Sequence, residues 1–75
     1  MPNYRILVVE DEPAWAELLK AWFDIAGYKN VEYADTGTKA IEMAVQVPPD
    51  CILMDLVLPD QSGLEVCQKL RAMPL

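Results

Sequence analysis

At two points of this 75-residue sequence a carboxylate directly follows a continuous apolar run. Glu10 and Asp11 follow the run that ends at Val9, and Asp55 follows the run 51–54. A carboxylate at the end of a buried strand is unfavourable unless a cation or hydrogen-bond donors meet it. Because the carboxyl ends of neighbouring parallel strands meet at one edge of a sheet, we expect Glu10, Asp11 and Asp55 to share a cleft.

The chemistry expected of such a cleft is metal-assisted. Three carboxylates at one place strongly disfavour being charged together unless a cation neutralises them. Oxygen ligands without sulfur or imidazole favour a hard ion, Mg²⁺ or Mn²⁺, and a carboxylate beside such an ion is a candidate nucleophile for a phosphoryl group. Simpler interpretations stay open: Asp11 or Glu12 at the start of a helix, and Asp55 as a loop-capping aspartate.

Three strand–helix pairs are predicted to position these acids. The predicted strands are residues 4–9, 31–34 and 51–54, and the predicted helices are residues 14–26, 38–47 and 64–73. Continuous apolar runs predict that the first and third strands are buried on both faces, and the alternating second run is typical of an edge strand. Pro13 is expected to open the first helix and Gly27 to end it. The alternation predicts an α/β fold with a parallel sheet.

The remaining apolar residues are assigned to the core. A stripe on the first helix has the spacing of a buried face, and its members are Trp15, Leu18, Leu19, Trp22 and Ala26. Cys51 and Cys67 are interpreted as small core residues of a reduced protein. With no histidine and no Cys-x-x-Cys pair, zinc and haem sites are not expected.

Charge and hydropathy favour a globular protein of the cytoplasm. Hydrophobic residues make up 53% of the chain, which argues against disorder. The net charge of −6 argues against direct contact with nucleic acid, since duplex binding needs a basic surface. Neither a signal peptide nor an apolar run of transmembrane length is recognisable, so no membrane contact is expected.

Taken together, the motifs resemble the receiver domain of two-component response regulators, over essentially the whole chain. The matching segments are Ile6-Leu-Val-Val-Glu-Asp-Glu-Pro13, Gly27-Tyr28, Ala34-Asp-Thr-Gly37, Ala40, Pro49-Asp50, Met54-Asp-Leu-Val-Leu-Pro59 and Gly63-Leu64-Glu65. The resemblance implies a flavodoxin-like (CheY-like) parallel sheet, in which the first strand lies between the second and the third.

The resemblance also implies roles for single residues. Asp55 would be the phosphate acceptor, Asp11 would bind Mg²⁺ directly, and Glu10 would help through water or a second contact. The backbone carbonyl of Val57 would be a further metal ligand. A sensor histidine kinase or a phosphotransfer protein would supply the phosphoryl group, and the chain would not itself be an enzyme. A phosphatase with an aspartate nucleophile would require a second acid two residues after Asp55, where Val57 stands.

The family pattern extends beyond the features found here. It continues with a fourth strand carrying Ser or Thr, a fifth strand carrying Lys, and an aromatic switch residue, whereas Lys39 and Lys69 fall in predicted helices. We therefore expect residues 1–75 to form a partial receiver domain of three strands and three helices, without the last two strands and helices.

Such an architecture would leave apolar surface uncovered. The outer edge of strand 51–55 would have no strand to pair with, and an unpaired apolar edge invites another chain. Part of the first helix, including Trp15, Trp22 and Phe23, would also be uncovered. The alternative to phosphoacceptor function is therefore a signalling-incompetent half-receiver that forms a homo-oligomer through residues 51–55 and so completes its sheet.

Overall fold

The computed structural model describes residues 3–73, in which three strands alternate with three helices. In chain order the elements are β1 (Ile6–Val9), α1 (Pro13–Ile25), β2 (Val31–Ala34), α2 (Gly37–Gln46), β3 (Cys51–Met54) and α3 (Gly63–Arg71). The predicted order of elements is confirmed, and the predicted bounds differ from these by two residues at most. Within residues 3–73, none of the helices combines the length and apolarity that a membrane span requires.

The central strand of the sheet is β1. The strand order is β2-β1-β3, and both pairs are parallel. Val9 lies opposite Ala34 on one side and Met54 on the other. Backbone hydrogen bonds extend this register by one residue, since the Glu10 N–H donates to the Ala34 carbonyl (3.0 Å) and the Asp55 N–H donates to the Val9 carbonyl (2.9 Å). Glu10 and Asp55 therefore leave the sheet side by side.

The core lies between the sheet and the helices α2 and α3. Its buried members are Leu7, Val9, Ala34, Ala40, Ala44, Leu58, Val66 and Leu70. Every residue of β1 is buried, as predicted for a strand covered on both faces. The buried residues of α2 are Gly37, Ala40 and Ala44, whose small side chains let this helix approach the sheet closely.

The burial of β3 differs from the prediction. Ile52 and Met54 pack against the core, whereas Cys51 and Leu53, on the opposite face, are exposed. The prediction of a strand buried on both faces is therefore wrong, and so is the assignment of Cys51 to the core; Cys67 is half-buried. The physical reason is position, because among the described residues β3 pairs with β1 alone and packs by one face.

The stripe on α1 is also less buried than its spacing predicts. No residue of α1 is fully buried, and Trp15 and Trp22 are 56% and 59% exposed. The exposed members of the predicted stripe are Trp15, Leu18, Trp22 and Ala26. The core assignment of these residues is wrong, whereas the expectation that both tryptophans would be partly uncovered is confirmed. Leu19 and Phe23 are half-buried.

Candidate functional site

Glu10, Asp11 and Asp55 come together at the carboxyl edge of β1 and β3. Each residue offers a carboxylate oxygen that lies within 4.8 Å of those of the other two. Glu10 and Asp55 are half-buried, and Asp11 is exposed. An all-oxygen donor set with one side open to water suits a hard divalent cation, which keeps several of its own water ligands. The residues present therefore fit Mg²⁺ or Mn²⁺.

The environment separates the protonation of the two half-buried acids. The backbone N–H of Val57 donates to Asp55 Oδ1 at 3.3 Å, and this hydrogen bond holds the pKa of Asp55 below its ordinary value. Burial raises the pKa of Glu10, and the neighbouring Asp55 and Asp11 charges raise it further, although a hydrogen bond from the Glu12 N–H opposes them. Asp55 is therefore ionised at neutral pH, and its carboxylate has the charge that a nucleophile requires.

The acids after β1 are not used to cap α1. Glu12 occupies the N-cap position in an extended conformation, yet its side chain makes no capping hydrogen bond. Its backbone N–H instead donates to Glu10 Oε2 at 3.2 Å. Pro13 is the first helical residue, as predicted, and Gly27 ends the helix with a φ of 87°, a left-handed value that favours glycine. Helix capping by Glu12 is therefore not the reason for the acidic run.

The loop that follows Asp55 closes on Gly63. The Gly63 N–H donates to the Leu56 carbonyl at 2.8 Å, and a Cβ atom at Gly63 would clash with the backbone carbonyl oxygen of Asp55. Only glycine therefore lets α3 start this close to the acidic site. Val57 and Ser62 face each other across the loop in an isolated antiparallel bridge. Val57 is 77% exposed, and its contact with Asp55 is made by its backbone N–H.

Asp60 is a structural residue of this loop that the sequence analysis missed. Its carboxylate accepts hydrogen bonds from the Gly37 N–H (2.8 Å), the Thr38 N–H (2.9 Å) and the Thr38 hydroxyl (2.7 Å). The Thr38 hydroxyl and these backbone donors hold the pKa of Asp60 far below its ordinary value. The partners lie 22 and 23 positions away in the sequence, so no local sequence pattern predicts the contact between Asp60 and α2.

The cap at the start of α3 was also not predicted, although its residue spacing is visible in the sequence. Ser62 and Glu65 form a capping box at the start of α3. The Ser62 hydroxyl accepts a hydrogen bond from the Glu65 N–H at 3.1 Å, and the Glu65 carboxylate accepts one from the Ser62 N–H. The pattern Ser-x-x-Glu before a helix is the known signature of this motif. The box fixes the point at which the loop ends and α3 begins.

The acidic site opens on one side into a shallow cleft of about 330 Å³. Glu10 and Asp11 line this cleft together with Tyr33 and Asp35 at the end of β2, and Lys39 from α2 also reaches it. The lining has four acids, since Glu17 also belongs to it, and one lysine, so its charge attracts cations.

Comparison with known proteins identifies the family. The sequence model described as "Response regulator receiver domain" matches residues 6–75. The DNA-binding dual master transcriptional regulator RpaA of Synechocystis sp. is 45% identical over 67 residues, which cover 89% of this chain and 27% of that protein. The response regulator MprA of Mycobacterium ulcerans is 43% identical over 70 residues, covering 93% of this chain and 30% of that protein.

Solved structures give the same result. A CheY-like response regulator receiver domain from Methylobacillus flagellatus superposes with a TM-score of 0.89 at 35% identity, covering 99% of this chain and 62% of that one. The receiver domain of a signal transduction histidine kinase from Syntrophus aciditrophicus superposes with a TM-score of 0.86 at 34% identity, covering 95% and 53%. The chain thus spans less than a third of these two curated relatives and somewhat more than half of these structures. Since the family match reaches from β1 through α3, the chain belongs to the response regulator receiver domain family.

Proposed function

We propose that this chain is the phosphoacceptor module of a two-component response regulator and that Asp55 receives the phosphoryl group. The observation that supports the proposal is the position of Asp55, whose carboxylate lies within 4.8 Å of those of Glu10 and Asp11 at the carboxyl edge of the sheet. A sensor histidine kinase or a phosphotransfer protein is the proposed donor. The DNA binding in the name of RpaA belongs to a protein of which this chain matches 27%, and we do not extend it to this chain.

The proposed metal ligands are Glu10, Asp11, Asp55 and the backbone carbonyl of Val57. Bound Mg²⁺, or Mn²⁺ in its place, supplies positive charge for the three acids and for the phosphoryl oxygens. Asp11 is the exposed member of the group and is the proposed direct ligand. Glu10 is held by the Glu12 N–H and is proposed to help through water or a second contact.

In the proposed reaction an Asp55 carboxylate oxygen attacks phosphorus. The new bond joins that oxygen to phosphorus, the bond between phosphorus and the donor's imidazole nitrogen breaks with its electron pair left on nitrogen, and that nitrogen takes one proton from water to give neutral imidazole. The Val57 N–H, which donates to Asp55 Oδ1, orients the carboxylate for this attack. The lowered pKa of Asp55 keeps the nucleophile ionised without a separate general base.

Intact-mass spectrometry after incubation with Mg²⁺ and acetyl phosphate tests this proposal. The parent chain is expected to gain one phosphoryl group, and Asp55→Asn to gain none. The matched control is Asp24→Asn, because Asp24 is an exposed acid of α1 that does not line the acidic cleft; it is expected to react like the parent. Removal of Mg²⁺ with a chelator is expected to abolish the adduct.

Two results would contradict the assignment. An adduct that persists in Asp55→Asn would show that another residue is the acceptor. A parent chain that gains no phosphoryl group with Mg²⁺ present would support the alternative, a half-receiver that does not take part in phosphorylation.

We further propose that β3 pairs with a second copy of the chain. Among the described residues the outer edge of β3 has no strand partner, and Leu53 is 43% exposed. An apolar edge of this kind offers unpaired backbone groups to another strand. Sedimentation equilibrium is expected to show a dimer or larger oligomer that Leu53→Lys weakens. A parent chain that stays monomeric across the concentration range would refute this proposal.

A further inference from the structure

The loop from Asp55 to Ser62 is attached to the N-terminus of α2 through the carboxylate of Asp60. Oδ1 accepts the Gly37 N–H, and Oδ2 accepts both the N–H and the hydroxyl of Thr38. The first N–H groups of a helix have no partner within the helix, and an anion is favourable there. Asp60 supplies that anion from a different part of the chain.

Asp60 is not the N-cap residue of α2, because this helix already has a local N-cap. The Thr36 hydroxyl accepts the Lys39 N–H at 3.0 Å, which is an ordinary N-cap arrangement. What Asp60 adds is a link between the β2–α2 connection and the loop that follows Asp55. β2 and β3 lie on either side of β1. The link therefore joins the segments that follow these two strands, on both sides of the end of β1 that precedes Glu10.

The part of the loop between Asp55 and Asp60 is held at several points. The Leu58 side chain is 7% exposed and belongs to the core. The Leu56 carbonyl accepts the Gly63 N–H, and the Val57 N–H donates to Asp55 Oδ1. Next to Asp60, Gln61 Oε1 accepts a hydrogen bond from the Lys69 Nζ at 2.7 Å, which ties the same loop to α3.

We propose that Asp60 is a positioning residue for the acidic site. By bonding to the start of α2 it fixes the path of residues 56–59, and so it keeps the Val57 N–H on the Asp55 carboxylate. The side chain of Asp60 makes its hydrogen bonds to Gly37, Thr38 and Gln61, none of which is a proposed metal ligand or acceptor. The consequence for metal binding rests on the proposed function, whereas the consequence for the geometry of the loop does not.

The test compares Asp60→Ala, Asp60→Asn and Thr36→Ala with the parent chain. Thr36→Ala is the matched control, because it removes a cap from the same helix end without touching the loop. The first measurement is amide hydrogen exchange by NMR without metal, read at Gly63 and Val57. The second is the affinity for Mn²⁺, followed by electron paramagnetic resonance.

Asp60→Ala is expected to speed exchange at Gly63 and Val57 about tenfold, as the loss of a charged hydrogen-bond anchor implies. It is also expected to weaken Mn²⁺ binding about tenfold, as is typical when a residue that supports the ligands is removed. Asp60→Asn keeps an acceptor for one donor and is expected to lie between Asp60→Ala and the parent. Thr36→Ala is expected to leave both quantities near the parent values.

Unchanged exchange at Gly63 and Val57 in Asp60→Ala would overturn the proposal. Equal losses in Thr36→Ala would overturn it too, because the effect would then come from the stability of α2 alone. If Asp60→Ala does not fold, Asp60→Asn decides by the same criteria. If the parent chain binds no Mn²⁺, the proposed function fails, and hydrogen exchange alone decides the positioning role.

Discussion

The two loops that carry the acids are held in different ways. The loop after β1 is short and has one internal hydrogen bond, from the Glu12 N–H to Glu10 Oε2, and it enters α1 without a side-chain cap. The loop after β3 is fastened by the buried Leu58, by Asp60 at the start of α2 and by the Ser62 cap of α3.

The difference follows from the strands that precede the loops. Every residue of β1 is buried between two neighbouring strands, so the position of Glu10 is fixed by the sheet itself. The burial of β3 alternates between exposed and half-buried along its length, so Asp55 leaves a less constrained strand. The side-chain contacts of its loop supply the constraint that the sheet supplies after β1.

The largest effect is expected from Gly63→Ala in the fastened loop. The added Cβ would clash with the Asp55 backbone carbonyl, and the strain of such overpacking is expected to lower the free energy of unfolding by about 3 kcal/mol. Urea unfolding followed by circular dichroism measures this. A variant as stable as the parent would show that α3 can move away from the site without loss.

A smaller effect is expected from Ser62→Ala at the end of the same loop. The variant loses the hydroxyl that accepts the Glu65 N–H, and loss of an N-cap lowers the free energy of unfolding by about 1 kcal/mol. The same urea experiment measures it, and Ser62→Asp, which can also cap, is expected to restore most of the loss. No rescue by aspartate would argue that Ser62 acts through packing.

Acid is expected to weaken the attachment at Asp60. Because hydrogen bonds from Thr38 and Gly37 lower the pKa of Asp60 in the folded chain from the ordinary value of 3.8, its stabilising contribution is complete above that value and is lost as the pH falls below it. The urea midpoint of the parent should therefore fall more steeply below about pH 4 than that of Asp60→Asn. Parallel acid profiles for the two proteins would contradict this.

The smallest effect is expected from Glu12→Ala in the loop after β1. The Glu12 side chain makes no cap, and the backbone N–H that binds Glu10 is kept, so the free energy of unfolding should change by less than about 0.5 kcal/mol. The comparison with Ser62→Ala is direct, since both residues hold the N-cap position of a helix. Equal losses in the two variants would remove the distinction between the loops.

Local patterns predicted the frame of the molecule. The apolar run of β1, Pro13 at the start of α1 and Gly27 after its end each act through neighbours in sequence, and the structure has all three where the sequence places them. The adjacency of Glu10 and Asp55 followed from topology alone, because parallel strands align their carboxyl ends.

Contacts between distant residues were not predictable in this way. The apolar run of β3 and the stripe of α1 indicate that these faces can be buried. Whether they are buried depends on which other elements pack against them. Asp60 stands in a turn sequence that reads as solvent-exposed, and its donors belong to another helix. Ser62 and Glu65 were different, because their spacing was a readable signal that the interpretation passed over.

The exposure of α1 determines how the chain can be observed. The two tryptophans of the chain, Trp15 and Trp22, both lie in this helix and are more than half exposed. Indole emission is therefore expected to resemble that of tryptophan in water already in the folded chain, and to change little when the chain unfolds. The fluorescence signal reports the surroundings of one helix, while the core between the sheet, α2 and α3 has no indole and makes no contribution to it.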